Sequence, residues 1–465
     1  MTETLSRRAW GTLIVLCVNV ALPTIGRELH FSESNLQWVV TAYGVTFGGF
    51  LLLGGRAADL LGRRRMFLVS LGVFVVASAL GGFATGATLL IATRFIKGIS
   101  AAFTAPAGLS IITTSFPEGA ARNKALSVYT ATGATGFSVG LVIGGLLTQV
   151  GWRWVFFLPT LVAAVALAGA LRLLPEAADR LPAKRAFDAT GAVSMTAGML
   201  LLVYTLVEAP QAGWISARTL GSLVGAAAIF AFFVWHERRA ALPLVRLGIL
   251  RSSALVRANL GAMALFGSWV GFQFIATLYM QQLRGWSALD AGLAIFPAGA
   301  LVAVMSPRIA PLIGRFGVTR LIVLGMASIT IGYALFLRIG LHSGYAAGLL
   351  PTFLLAGIGF GLAFGPLNVA GTTGVAPHEQ GLAGGLLNTS FQFGGALVLA
   401  IVTAVNTANR GVGASGQALL DGFHPALAVS VIAGVLGVAA VGLRSRRSVS
   451  VAAATLEVVD EAEAA

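Results

Sequence analysis

Residues 55–65 read Gly55-Arg56-Ala57-Ala58-Asp59-Leu60-Leu61-Gly62-Arg63-Arg64-Arg65. They lie between two apolar runs, 36–55 and 66–83. Each run is close to the roughly 20 residues that carry a helix across about 30 Å of hydrocarbon. A stretch this short has no room for a soluble module, so it reads as a tight charged turn joining two membrane helices, with Gly55 and Gly62 permitting the bend. The rest of the chain has the same texture. Of 465 residues only 10% are charged and 57% belong to the apolar set, against roughly a quarter charged in a soluble domain. Mean hydropathy is +0.87. A large soluble enzyme, a disordered chain and a secreted disulfide scaffold are excluded together, the last because Cys17 is the only cysteine.

Fourteen apolar stretches follow one another at 10–25, 36–55, 66–83, 87–115, 124–147, 154–174, 189–209, 218–235, 255–281, 288–313, 320–337, 345–370, 382–405 and 424–443. Their length and the lack of two-residue alternation exclude barrel strands. The sequence therefore predicts an all-α polytopic membrane protein. With the N-terminus inside, 23 of the 31 Lys and Arg fall in inner segments, six in outer loops, and Arg94 and Lys97 inside the fourth span. That asymmetry predicts cytoplasmic termini and an even number of spans. It also explains the net charge of +14 without a nucleic-acid partner, since the cations are scattered over loops rather than gathered in a basic domain. No small-residue cleavage site follows the first apolar run, so it reads as an uncleaved span. The last residues, with Glu457, Asp460, Glu461 and Glu463, read as a short acidic tail.

The stretch Pro311-Leu-Ile-Gly314-Arg315-Phe-Gly317-Val-Thr-Arg320 after the tenth span echoes the 55–65 turn. With spans seven and eight set aside, both turns follow the second helix of a six-helix half, as in transporters that rock two bundles around a midplane site. Here the chain resembles the major facilitator superfamily. The pattern G-x-x-x-D-x-x-G-R-R at 55–64 is similar to the signature loop of that family. Arg94-Phe-Ile-Lys97-Gly98 is similar to its Arg-x-x-Gln-Gly motif, and Gly136-x-x-x-Gly140-x-x-x-Gly144-Gly145 to its antiporter motif. Phe364-Gly-Pro-Leu-Asn368 and Leu387-Asn388-Thr389-Ser390-Phe391-Gln392 add to the likeness.

Fourteen spans point to the drug:proton antiporter branch. The resemblance implies a six-helix bundle over 1–174, two inserted helices with linkers over 175–254, a second six-helix bundle over 255–443, and a cytoplasmic tail over 444–465. Three positions depart from the family pattern. No acid precedes Asn19-Val20-Ala21-Leu22-Pro23, and the first span is at the short limit for crossing. Lys97 stands where glutamine is usual, and Leu141 where the motif has proline.

Candidate residues follow from these patterns. Gly55, Asp59, Gly62, Arg63, Arg64 and Arg65 read as a gating loop whose charge pairs form in one transport state and release in the other; the alternative is a positive-inside turn with an incidental acid. Arg94 and Lys97, a turn apart and read as sharing a face, are costly intramembrane cations. For Arg94 the family position implies a group tuning proton movement or substrate charge, the alternative being snorkelling or a structural pair with backbone carbonyls; Lys97 reads either as a proton-responsive amine or as a structural cation, and Asp59 joins them as a coupling candidate. Gly136, Gly140, Gly144 and Gly145 read as a close-packing stripe. Asn19, Tyr43, Gln273, Asn368, Asn388 and Gln392 are candidate substrate contacts, because polar side chains in hydrocarbon need an interior to face. Trp269, Phe360 and Phe391 would supply an aromatic lining.

No carboxylate falls at mid-span. The expected function is export of drugs or small amphipathic metabolites by alternating access in exchange for protons. The alternatives are export or facilitation without protons, or a transport-impaired chain with a shortened first helix. Neither an enzyme motif nor a phosphate loop is present. No metal or cofactor is expected. The expected partners are a small-molecule substrate, protons and the lipid bilayer, with no nucleic acid. The expected form is a monomer in the plasma membrane.

Overall fold

The computed structural model describes residues 18, 20–115, 140, 142–174, 188–240, 243, 245, 247–373, 375, 380–410 and 416–442. Every regular element among them is helical. In chain order the helices are α1 (20–28), α2 (Trp38–Leu61), α3 (Arg63–Gly82), α4 (Ala87–Ser115), α5 (142–150), α6 (Trp154–Leu173) and α7 (Ala189–Ala212). They continue as α8 (Ala217–Arg239), α9 (Ser253–Leu278), α10 (Ala288–Met305), α11 (Val318–Phe336), α12 (Leu350–Thr372), α13 (Gln380–Asn409) and α14 (Gly416–Gly442). A short turn and the helix Ile309–Phe316 prolong α10. Eleven of the described helices are long and apolar enough to cross a membrane, and α2 holds a shorter apolar stretch, Trp38–Leu51. The all-helical expectation holds. The number fourteen goes further than this, because α1 and α5 are short and border residues outside the description.

The bend expected over 55–65 narrows to a single residue, since Gly55, expected to permit it, stays helical within α2. Gly62 has φ 95° and ends α2 while starting α3. Gly317 does the same between the α10 extension and α11, at φ 79°. The echo in sequence is thus an echo in backbone geometry: an L side chain is strained at such a φ, by roughly 1–3 kcal/mol. Gly62→Val should lower the thermal unfolding temperature, whereas valine at the exposed helical Gly221, with nothing within 4 Å of a built Cβ, should leave it unchanged or raise it slightly, because valine is the better helix former.

Arg64 gives the turn a further role. Its Nε donates to Leu174 O at 2.9 Å and its Nη2 lies 3.5 Å from Leu171 O. The last carbonyls of a helix have no partner within the helix, and a guanidinium at that end also suits the helix dipole. Arg64 therefore fastens the start of α3 to the end of α6. Other ends are closed by their own sequence: Ser216 caps α8, Ser252 caps α9, and Ser287 with Asp290 forms a capping box on α10. Asp290 is thereby accounted for as a cap.

Helix α2 packs on α4, α4 on α3, and α3 on α6. On the other side α9 packs on α12, α13 and α14, and α11 on α12 and α14. The two groups meet where α2 lies along α13. The pair α7–α8 packs on itself, and α7 touches both α2 and α13. Glycines make the tightest crossings. Gly54 and Gly98 bring α2 and α4 backbone to backbone, while Gly267 and Gly394 do so for α9 and α13. Buried hydroxyls return to their own helix, as Thr46 does to Ala42 O at 2.7 Å and Ser70 to Met66 O at 2.6 Å. A polar group in hydrocarbon needs such a partner.

Candidate functional site

Arg94 lies two turns into α4 and is fully buried. Its Nε donates to Val39 O on α2 at 2.6 Å, and its guanidinium carbon sits 4.7 Å from the centre of the Tyr43 ring. Neither Nη1 nor Nη2 finds a hydrogen-bond partner among the described residues. A cation held over a ring face gains about 2 kcal/mol when desolvated, well short of its dehydration cost. The close α2–α4 crossing at Gly98 delivers the side chain to this position, with Thr46 Oγ1 also reaching Phe95 O at 3.1 Å.

Lys97 is equally buried but points elsewhere. Its Nζ donates to Ser78 Oγ at 2.8 Å and lies 4.9 Å from the Phe74 ring and 5.2 Å from the Phe156 ring. Three residues turn an α-helix by about 300°. The expected shared face therefore splits: Arg94 faces α2, and Lys97 faces α3 and α6. Lys97 sits in an aromatic box inside its own helix group.

Where α2 meets α13, small residues allow contact. Thr389 Oγ1 donates to Gly48 O at 2.9 Å. A Cβ built on Gly48 would lie 2.8 Å from Gln392 Cβ, and one on Gly44 would lie 3.5 Å from Gln392 Oε1. Tyr43, Arg94 and Gln392 are thus gathered around one short segment of α2. Rings continue from there: Phe391 lies 5.1 Å from Phe364, Phe364 lies 5.3 Å from Phe360, and Phe360 lies 5.4 Å from Trp269. Phe364 is 40% exposed. The arrangement offers aromatic surface, one amide and one buried cation, which suits an amphipathic molecule better than a strongly hydrated one.

Asn368 stands one helical turn from Phe364, and Asn388 one turn from Gln392. Asn368 and Asn388 each donate to the carbonyl four residues back in their own helices, at 2.8 and 2.9 Å. Gln273 is buried on α9. Asn19 and Gly136 lie outside the described residues, as does the side chain of Asp59. Gly55 follows Gly54 on α2, facing Pro106 Cβ at 3.7 Å. Arg63 is half-buried and Arg65 exposed at the start of α3. Gly140 and Gly144 are buried.

Gly145 makes a contact between the two helix groups. A Cβ there would stand 2.7 Å from Leu289 Cα and 2.9 Å from Ala288 O at the start of α10. Nearby, a π-helical turn, Tyr279–Leu283, aims Gln281 Nε2 at Val20 O, 2.8 Å away. These contacts close the end of the molecule opposite Gly62. Gly145→Leu should force α5 off α10 at a cost of roughly 1–3 kcal/mol. Its thermal unfolding temperature should drop, with Gly145→Ala between it and the wild type.

The sequence reading named Phe364 in a motif but not in the aromatic lining, for which the signal was the four-residue step from Phe360, and it did not find the clasp of Trp152 Nε1 on Glu28 Oε2 at 2.7 Å. It also did not assemble Asp188, His236 and Glu237, which are 48 residues apart along the chain at their closest hydrogen bond. Among the described residues no His, Cys, Asp and Glu group could hold a metal ion.

Residues 11–399 match the family described as Major Facilitator Superfamily. The chain is 37% identical over 444 residues to the puromycin resistance protein pur8 of Streptomyces alboniger, covering 91% of this chain and 86% of that one. It is 36% identical over 403 residues to the cephamycin export protein CmcT of Amycolatopsis lactamdurans, covering 86% and 82%. Among solved structures, the peptide transporter POT in complex with alafosfalin superposes with a TM-score of 0.68 at 14% identity, over 94% of this chain and 93% of its own. The nucleoside transporter NupG gives 0.64 at 12%, over 95% and 98%. At such identities these two bear on the fold alone.

Proposed function

Because the chain belongs to the Major Facilitator Superfamily, we propose that it exports drugs or small amphipathic metabolites by alternating access, in exchange for protons. It is a membrane-embedded transporter and not an enzyme, homologous to antibiotic exporters. The observation that carries the export reading is Arg94. A fully buried guanidinium with two unbonded arms among the described residues costs stability. It is accounted for by a charge that arrives during the transport cycle, whether a proton's departure site or a substrate's polar end. The aromatic series from Trp269 to Phe391 and the amide of Gln392 would hold the apolar body and orient it.

In this reading residues 1–174 and 255–443 are the two bundles, 175–254 the inserted pair, and 444–465 a tail. The chain works as a monomer in the plasma membrane with both ends in the cytoplasm. The turn at 55–65 acts as the gate on that side, with Asp59 and the arginines as its charge pairs. Arg94, Lys97 and Asp59 serve charge coupling.

One observation favours a second reading, export without protons: every acid on the described helices lies toward a helix end. Loading of a fluorescent cationic dye, with and without a protonophore, separates the two. Cells making the protein should retain less dye than empty controls, and the protonophore should abolish the difference. Retention equal to the control contradicts export, whereas efflux that ignores the protonophore favours the second reading.

A further inference from the structure

The pair α7–α8 carries an ionisable cluster that the export reading does not use. Asp188 caps α7, accepting from Gly191 N at 2.8 Å. The same Oδ1 lies 2.7 Å from His236 Nε2 on α8, and the Asp188 side chain is only 5% exposed. Glu237, the next residue on α8, is 4% exposed. Its Oε2 accepts from Val245 N at 2.9 Å. Its Oε1 has no donor among the described residues. That oxygen is aimed at Gly191, where a Cβ would collide with both Glu237 Oε1 and Asp188 Oδ2. The two carboxyl oxygens thus crowd the same point beside Gly191. Only a glycine at 191 leaves room for them to meet.

The surroundings are apolar. Leu53, Ala192, Phe233 and Val245 are buried there, with Phe50, Phe103 and Met195 packed against them. From α2 and α4, Phe50, Leu53 and Phe103 belong to that apolar cluster among the described residues. From α7 the facing ionisable group is Asp188, and from α8 it is His236. Arg238 and Arg239 point to the exposed side, Arg239 lying 4.6 Å from the Trp235 ring. Arg251, at the end of the turn Leu247–Arg251, is exposed. Two carboxylates crowded together in an apolar setting resist ionising together.

We propose that Asp188, Glu237 and His236 form a proton-binding site that ties the segment leading from Val245 into α9 to the α7–α8 pair. The proton sits between Glu237 Oε1 and Asp188 Oδ2, leaving Glu237 Oε2 free to hold Val245 N. When the proton leaves, the two negative charges repel and Glu237 swings toward water, releasing Val245. Low pH therefore fastens the segment and high pH frees it. His236 reaches the same pair through Asp188 Oδ1.

The test uses the purified full-length protein in lipid, without substrate, so its outcome is independent of the export reading. Infrared spectra are recorded across a pH titration, with hydrogen exchange at residues 245–251 in parallel. The wild type should show a protonated-carboxyl band that fades as pH rises and is absent from Glu237→Gln. Exchange at 245–251, corrected for its intrinsic pH dependence, should rise at least tenfold over the same interval. In Glu237→Gln, whose amide can still donate to Asp188, exchange should stay slow throughout. His236→Ala should move the midpoint of the band. The proposal is overturned if the band survives in Glu237→Gln or is missing from the wild type, or if wild-type exchange at 245–251 does not follow the titration.

Discussion

Arg94→Met is expected to fold, to unfold at a temperature no lower than the wild type, and to transport at least tenfold more slowly. The stability half follows from the partners. Arg94 gives up hydration on every arm and recovers one hydrogen bond, to Val39 O, and one ring contact, with Tyr43. Replacing a buried charge by an apolar side chain of similar length is often neutral or stabilising. The Val39 carbonyl keeps its place in the α2 ladder. The transport half follows if the cation is retained for the cycle, and a tenfold loss corresponds to about 1.4 kcal/mol of barrier. Melting curves and initial export rates on the same preparation decide it. A variant that melts several degrees lower but transports normally would make Arg94 a structural residue. Lys97→Met reports on the second buried cation separately, because Lys97 is bonded to Ser78 between two phenylalanine rings and away from α2.

Gly98→Leu should abolish the folded protein. A Cβ at 98 would already stand 2.5 Å from Tyr43 O and 3.1 Å from Tyr43 Cα, in addition to colliding with the Thr46 hydroxyl. A side-chain tip can move aside, but the α2 backbone cannot without undoing its ladder. The cost therefore lies at or beyond the upper end of the roughly 1–3 kcal/mol typical of overpacking. The amount of monodisperse protein recovered from membranes measures it. Leucine at Gly86, where nothing lies within 4 Å of a built Cβ, should be recovered like the wild type. Recovery of Gly98→Leu at the wild-type level would mean that α2 and α4 do not cross there.

How much of this was legible beforehand depended on the range of the signal. Gly62 could be read because a turn between two apolar runs is a local feature and glycine is its usual solution. Arg94 could be read as important because a cation in an apolar run is costly wherever it points. Direction was less accessible. The splitting of Arg94 from Lys97 rests on a rotation of about 60° and on which helices stand nearby, and only packing supplies the second. Asn368 and Asn388 read as binding groups by type, and each also donates one amide hydrogen to its own helix, a choice that sequence does not distinguish. In the sequence Asp188 stands near a span end and Glu237 reads as a loop acid. Their meeting depends on α7 and α8 folding back on one another and on Gly191 between them.

The most direct test of the central claim is transport by the purified protein in sealed liposomes with an acidic interior. Fluorescent cationic dye added outside should accumulate inside as protons leave, should stop accumulating when a protonophore collapses the gradient, and should accumulate at least tenfold more slowly with Arg94→Met. Dye uptake no greater than in protein-free liposomes under the same gradient would contradict the account.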